Sequence, residues 1–242
     1  MNVRHTKFAM MFVISSVAAS VSADNEIYID QIGDGSSIDI VQDGSGNVIG
    51  GSTTDTTKMV LDGVDMNFSV NQTGSSNTLI GSVFGTSTID IDVSGSTNDI
   101  LFDVDKDNTY GAADGNYLIN ITGGNNDLDI DVGSLDTATD LDFDFVLDGD
   151  FNTADINIDA SSLTFDLDVI GDNNTLLYDA SGYDGHSFII SGSGDYNNIQ
   201  VNQESTLQTD TLEIDFDGSG TSTTDATICI SQSDSGLNTT CE

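Results

Sequence analysis

Along most of this chain, apolar and polar residues alternate in twos. Ile27-Tyr28-Ile29, Ile89-Asp90-Ile91-Asp92-Val93, Leu128-Asp129-Ile130-Asp131-Val132, Leu141-Asp142-Phe143-Asp144-Phe145, Phe165-Asp166-Leu167-Asp168-Val169 and Leu212-Glu213-Ile214-Asp215-Phe216 carry the pattern. Period two is the strand period: β-branched and aromatic residues take one face and carboxylates the other. No useful 3.6-residue pattern competes with it beyond the first two dozen residues. The runs are punctuated by Gly-x-x-Asn, at Gly74–Asn77, Gly95–Asn98, Gly123–Asn126, Gly149–Asn152, Gly171–Asn174 and Gly194–Asn197, with Gly33–Ser36 read as a first copy. From Gly149 to Gly171, Gly194 and Gly218 the steps are 22, 23 and 24 residues, and a half-period near eleven shows in Gly33 and Gly44 and in Gly63 and Gly74. A short period of strand, corner, strand, corner predicts a solenoid. Glycine supplies positive φ at the corner, and asparagine tolerates left-handed backbone while bonding local main chain. The expectation is an all-β solenoid of two parallel sheets and about eight rungs over residues 24–232, stacked about 4.8 Å apart. The chain contains no proline, which would remove a ladder donor.

Charge narrows the function. Four Lys+Arg stand against 41 Asp+Glu, a formal charge of −37. That excludes the phosphate neutralisation of nucleic-acid binding and the basic patches that dock on anionic lipid. Composition alone would also suit a disordered chain, but disorder does not keep apolar residues in phase for so long. Lys58, Lys106 and His186 read as loop residues without a catalytic constellation, so no enzyme is expected.

Residues 1–23 have the layout of a secretory leader. Arg4, His5 and Lys7 precede an apolar run from Phe8 to Ala19, and small residues end at Ala23. No cysteine sits at that boundary to carry a lipid anchor. Losing Arg4 and Lys7, and no acid, would take the formal charge from −37 to −39. No later window is long and apolar enough for a spanning helix, and the acid-bearing face and short runs do not suit an outer-membrane barrel.

The segment Asn25 to Asn47, through Gln31, Gly33, Ser36, Ile38, Ile40 and Gln42, resembles the curlin repeat of bacterial curli subunits. That repeat reads Ser, alternating apolar residues, Gln-x-Gly-x-x-Asn, an apolar pair and a second Gln. Gln31, Gly33 and Gln42 match; Ser36 stands at the Asn position and Asn25 at the opening Ser. Phe68-Ser-Val70-Asn-Gln72-Thr-Gly74-Ser-Ser-Asn77-Thr-Leu79 matches again, and Asn197-Asn-Ile199-Gln-Val201-Asn-Gln203 and Ile228-Cys-Ile230-Ser-Gln232 match the second half. Between them the Gln positions become Val93, Val104, Ile121, Val132, Leu147, Ile158 and Val169. The resemblance implies a secreted, self-associating amyloid fibre of the biofilm matrix, exported through a dedicated outer-membrane pore. An inward Gln can ladder its amide on the rungs above and below, whereas a buried Val needs no such partner. The Gln-bearing first and last rungs, with Gln31, Gln42, Gln72, Gln203 and Gln232, are therefore the expected polymerisation faces.

Two further features bear on the alternatives. The outward acids form either a solvated face or an array for divalent cations. Asp103, Asp105, Asp107 and Asp114 sit at positions 1, 3, 5 and 12 of an EF-hand-like calcium loop that lacks Gly at six, Glu at twelve and flanking helices. Gly123 to Asp131 partly resembles a calcium-binding nonapeptide repeat. Calcium is the one cofactor to weigh, and a monomeric calcium-dependent adhesin is the alternative function. An ice-binding solenoid would want a Thr-rich outer face instead of Asp. Cys229 and Cys241 form an even pair in an exported chain and suggest a disulfide that ties the tail, residues 233–242, to the last rung.

Overall fold

The computed structural model describes residues 11–15, 25–44, 46–50, 59–74, 77–104, 114–133, 139–182, 185–205, 210–217 and 227–233. Its strands form two parallel sheets. Sheet A runs, in spatial order, β1 (Met11–Ser15), β4 (Ser37–Asp43), β7 (Met66–Thr73), β9 (Ser87–Ser94), β11 (Asn116–Thr122), β13 (Asp142–Asp148), β15 (Thr164–Ile170), β17 (Ser187–Ser193) and β19 (Thr211–Asp217). Sheet B runs β2 (Asn25–Ile27), β5 (Asn47–Ile49), β8 (Thr78–Phe84), β10 (Asp99–Val104), β12 (Asp127–Val132), β14 (Thr153–Asp159), β16 (Thr175–Gly182), β18 (Asn198–Ser205) and β20 (Thr227–Ser233). The short β3 (Asp30–Ile32) and β6 (Met59–Asp62) continue the rungs of β2 and β5, with β6 pairing both β3 and β8. The chain alternates between the sheets, one strand in each per rung. This is the expected all-β solenoid, of about seven turns.

Alternation becomes a core because every strand pairs in parallel and in phase. In sheet A, Phe68 sits over Ile89, then Tyr117, Phe143, Phe165, Phe188 and Leu212. In sheet B, Leu79, Ile100, Leu128, Ala154, Leu176 and Ile199 share a column. Nearly all of these are buried, each large side chain contributing about 1.5–3 kcal/mol by leaving water. The rings stack between rungs: Tyr117 and Phe143 lie 4.5 Å apart at 12°, and Tyr178 of sheet B meets Phe188 of sheet A at 4.0 Å and 10°.

The first corner carries the Gly-x-x-Asn motif. Gly149 has φ +144°, and a Cβ there would run into the Gly123 carbonyl oxygen, so the close stack of corners requires glycine. Each asparagine is buried, and from Asn98 onward each accepts, through Oδ1, the backbone N–H of its counterpart one rung earlier. Asn77, Asn98, Asn126, Asn152 and Asn174 donate in turn to Asn98, Asn126, Asn152, Asn174 and Asn197 at 2.8–3.1 Å. Replacing Asn152 with Ala strands the buried N–H of Asn126, at an expected cost of about 1–3 kcal/mol read from the urea midpoint. An unchanged midpoint would show that the ladder contributes nothing.

The phase of the first corner differs from the expectation. Gly33–Ser36 lies at the second corner, leading from sheet B into sheet A, where Gly33 N–H donates to Asp62 O at 2.8 Å. The first copies in the asparagine column are Gly44–Asn47 and, before it, Asn25, whose Nδ2 donates to Asn47 Oδ1 at 2.7 Å. Asn25, the first residue of β2, thus heads the asparagine column. Locally the two corners look alike, and only pairing separates them.

Candidate functional site: the open ends of the rod

Among the described residues, no group of three or more His, Cys, Asp or Glu is placed to hold a metal ion, and no helix is long and apolar enough to cross a membrane. What distinguishes one part of the rod from another is its ends. The partly buried apolar residues packed against the core are Ile27, Ile29 and Ile38 at one end and Leu212, Ile214, Phe216 and Ile228 at the other. Ile230, in the last strand, is 46% exposed although it occupies the column of buried Val201 and Tyr178. These side chains lie on core columns; Ile38 is one strand in from the edge of sheet A, beneath β1, and the others sit on the outermost described strands of their sheets.

The glutamines follow the same geography. In sheet A one inward column reads Gln42, Gln72, Val93, Ile121, Leu147, Val169, Gly192 and Phe216. Gln72 Nε2 donates to Gln42 Oε1 at 2.7 Å, both side chains being buried, and Gln42 Nε2 donates to Val48 O at 3.2 Å. Where this ladder meets Val93, Gln72 Oε1 has no partner among the described residues. In sheet B the column reads Gln31, Leu61, Val83, Val104, Val132, Ile158, Ala180, Gln203 and Gln232. Gln31 donates to Ser36 Oγ at 2.8 Å, and Gln203 is fully buried. Glutamines occupy the two extremes of the sheet B column and apolar residues its middle.

The two ends also match in register. Ile27 lies in the column that runs through Ile49 and Leu79 to Ile228. Val60 N–H donates to Ile29 O at 2.8 Å, which places Ile29 in the Met59 column, the column of Ile230. The first strand pair of sheet B therefore presents Ile27, Ile29 and Gln31 on the three columns where the last strand presents Ile228, Ile230 and Gln232. The intervening positions Glu26, Tyr28 and Asp30 share columns with Thr227, Cys229 and Ser231. A copy stacked end to end would place Ile on Ile, Ile on Ile and Gln on Gln, with no acid over an acid in this sheet.

The outward acids are spaced by register rather than piled up. Asp90 neighbours Ser69 and Leu118, and Asp92 neighbours Asn71 and Asn120, whose Nδ2 donates to it at 2.8 Å. Among the paired strands, acids meet directly only at Asp99 and Asp127, Asp103 and Asp131, Asp129 and Asp155, and Asp144 and Asp166. At one corner Asp172 and Asp195 donate their N–H groups to the carboxylates of Asp150 and Asp172, both at 2.7 Å. Partial burial, then Asp166, Asp168 and Asp142, raises the Asp144 carboxyl above the usual range; burial and then Asp92 do the same for Asp90. Burial raises Asp179 as well, with a hydrogen bond from Asn202 pulling the other way and Asp155 adding to the rise.

The remaining expected sites stand as follows. Asp103 lies outward on β10, accepts a hydrogen bond from Ser82 and pairs in register with Asp131. Asp114 is at a second corner with φ 55°, and Asp105 and Asp107 lie outside the described residues, so the described residues do not assemble the calcium loop. Cys229 is disulfide-bonded; Cys241, the other cysteine of the sequence, lies outside the described residues. His186 lies between strands as expected, just before β17, but it is buried. It is 2% exposed at a second corner, its N–H donates to Asp210 Oδ1 at 3.0 Å, and burial lowers the imidazole pKa against an opposing pull from Asp210. Sequence reasoning missed it because leucines, not histidines, fill this buried column one and two rungs earlier, at Leu163 and Leu141. In comparisons with known proteins, no family model, curated protein or solved structure matches the chain.

Proposed function

We propose that this chain is a secreted structural subunit of a curli-like extracellular fibre that serves a biofilm matrix or adhesion. It grows by parallel strand addition between solenoid ends and has no catalytic role. The resemblance to curlin repeats supplies the export route, an outer-membrane pore, and the amyloid character. The single observation that supports assembly is the agreement of the end columns, Ile27, Ile29 and Gln31 against Ile228, Ile230 and Gln232. Ordinary proteins blunt such edges, because open N–H and C=O rows recruit other chains. Among the described residues, β19 and β20 are the last strands of their sheets, each seven residues long.

The test is seeded growth of the exported chain, followed by an amyloid dye and electron microscopy, with and without calcium. Growth from preformed seeds, independent of calcium, is expected; a monomer that never extends seeds and gains thermal stability only with calcium would replace this reading with the adhesin. Within the same assay, the double change Gln31→Val and Gln232→Val is expected to slow elongation about tenfold, the loss of roughly one amide ladder bond per junction. The melting temperature should stay within a few degrees of the parent. Equal growth rates would show that the end glutamines do not set the junction.

A further inference from the structure

The two sheets do not begin alike at the N-terminal end. Sheet A begins with β1 and then β4; sheet B begins with β2–β3 and then β5–β6. Hence β1 and β2–β3 share the first rung, just as β19 and β20 share the last. If residues 1–23 are removed as a leader, sheet A begins at β4 while sheet B keeps β2–β3. The processed end is a step. When a second copy seats its β20 on β2–β3, its β19 stops two strand spacings, about 9.6 Å, short of β4. The junction then contains a berth one strand wide in sheet A.

The geometry points to a strand-acceptor site at the edge of β4: it takes one extended, parallel segment of a partner polypeptide, five to seven residues long, apolar at alternate positions and without acids between them. This rests on the end-to-end assembly proposed for the fibre. The segment Met11–Ser15 defines the chemistry, because in the whole chain it fills this place. It pairs with β4 from Met11 on Ser37 to Ser15 on Val41, which puts Phe12 and Ile14 on the columns of Ile38 and Ile40. Without an occupant, the edge of β4 offers a row of N–H and C=O groups.

Charge sets the second requirement. On one side of the berth β4 carries Asp39 and Asp43, and on the other the incoming β19 carries Glu213, Asp215 and Asp217. An acid at the donor position over Asp39, whose column continues to Glu213, would complete a stack of like charges through three strands, each adjacent pair unfavourable by an amount that salt only partly screens. Val13 stands at that position over Asp39 and is uncharged, as are Met11 and Ser15, which pair with Ser37 and Val41. A donor of this chemistry completes the ladder and separates two acidic strands at once. A direct seat of β19 on β4 would bring Glu213 over Asp39 and Asp217 over Asp43, and would displace β2–β3 from its matched columns.

The probe is a synthetic peptide of residues 8–17, labelled and added to the exported chain during seeded growth. It is expected to enter fibres at about one peptide per subunit, as donated strands do, and to speed elongation at least several-fold. A peptide with Phe12→Asp and Ile14→Asp should be taken up at less than about a tenth of that level, since it buries two charges on apolar columns. Full-length chain, its berth already filled by β1, should take up neither. Fibres that grow at the same rate and exclude the peptide would overturn the acceptor site and leave the end-to-end assembly standing. Equal uptake of both peptides would also overturn the acceptor site. Absence of fibres under every condition would overturn both.

Discussion

Ile230→Asp is expected to stop fibre growth while leaving the subunit folded. Ile230 is 46% exposed on the last strand, so in the free subunit an aspartate there keeps its water and costs little. In a junction the same position faces Ile29 of the next copy on a column whose other members are apolar. A carboxylate buried there without a partner costs several kcal/mol, and every 1.4 kcal/mol is about tenfold in an equilibrium constant. The critical concentration for growth should rise about 100-fold or more. The asymmetry of the rod sharpens this expectation. The variant retains an intact N-terminal face, so it can add once to the C-terminal end of a wild-type fibre and then present the damaged face. Small amounts of it should therefore arrest one end of growing wild-type fibres, visible by single-filament imaging. Ile230→Val keeps an apolar side chain in the column and should grow nearly as the parent does. If Ile230→Asp extends seeds at the parental rate, the ends are not the growth faces.

Acidification should stabilise this protein, the reverse of the usual acid response. Asp90, Asp144 and Asp179 hold their protons more tightly in the fold than in the unfolded chain, because burial first, and neighbouring carboxylates besides, penalise the charged form. A carboxyl whose folded pKa lies above its unfolded value of 3.8 contributes stability that is complete below that value and is lost as the pH rises through the folded pKa. From pH 7 down to about 4, protonation of these carboxyls therefore favours the folded rod, and His186, held neutral by burial, pulls the other way as a smaller, single-site effect. The melting temperature should climb over that interval. Added salt at pH 7 should recover part of the rise by screening Asp144 from Asp166 and Asp129 from Asp155. Thermal unfolding followed by circular dichroism decides the matter. A melting temperature that falls steadily from pH 7 to about 4, in the His186→Leu variant as well as in the parent, would mean that the carboxylates are held by favourable partners instead.

Part of the candidate site is legible in the residue pattern. The terminal glutamines, the apolar replacements between them and the corner residues all follow from a period-two alternation broken by Gly and Asn. The junction is not legible there. Corner-to-corner steps from Gly44 onward run 30, 21, 28, 26, 22 and 23 residues, while the paired strands keep one register throughout. Counting residues therefore misplaces Gly33–Ser36 and hides the role of Asn25. It also suggests that acids two apart in one strand stack on acids in the next, where Asp90 in fact meets Ser69 and Leu118.

Which side of each strand faces inward is a local matter. Successive Cβ atoms point to opposite faces, and an amphipathic strand of seven residues has one face it can bury. The order of residues was therefore enough for the all-β class, the alternation of core and surface, and the glycine and asparagine corners. Which residue lies above which is not local: it depends on how much chain each corner and insertion absorbs, and hydrogen-bonded pairing of whole strands settles that only in three dimensions. The columns came from the folded arrangement alone. With them came the matched isoleucines and glutamines at the two ends, the interleaving of the acids, and the place of Met11–Ser15 beside β4.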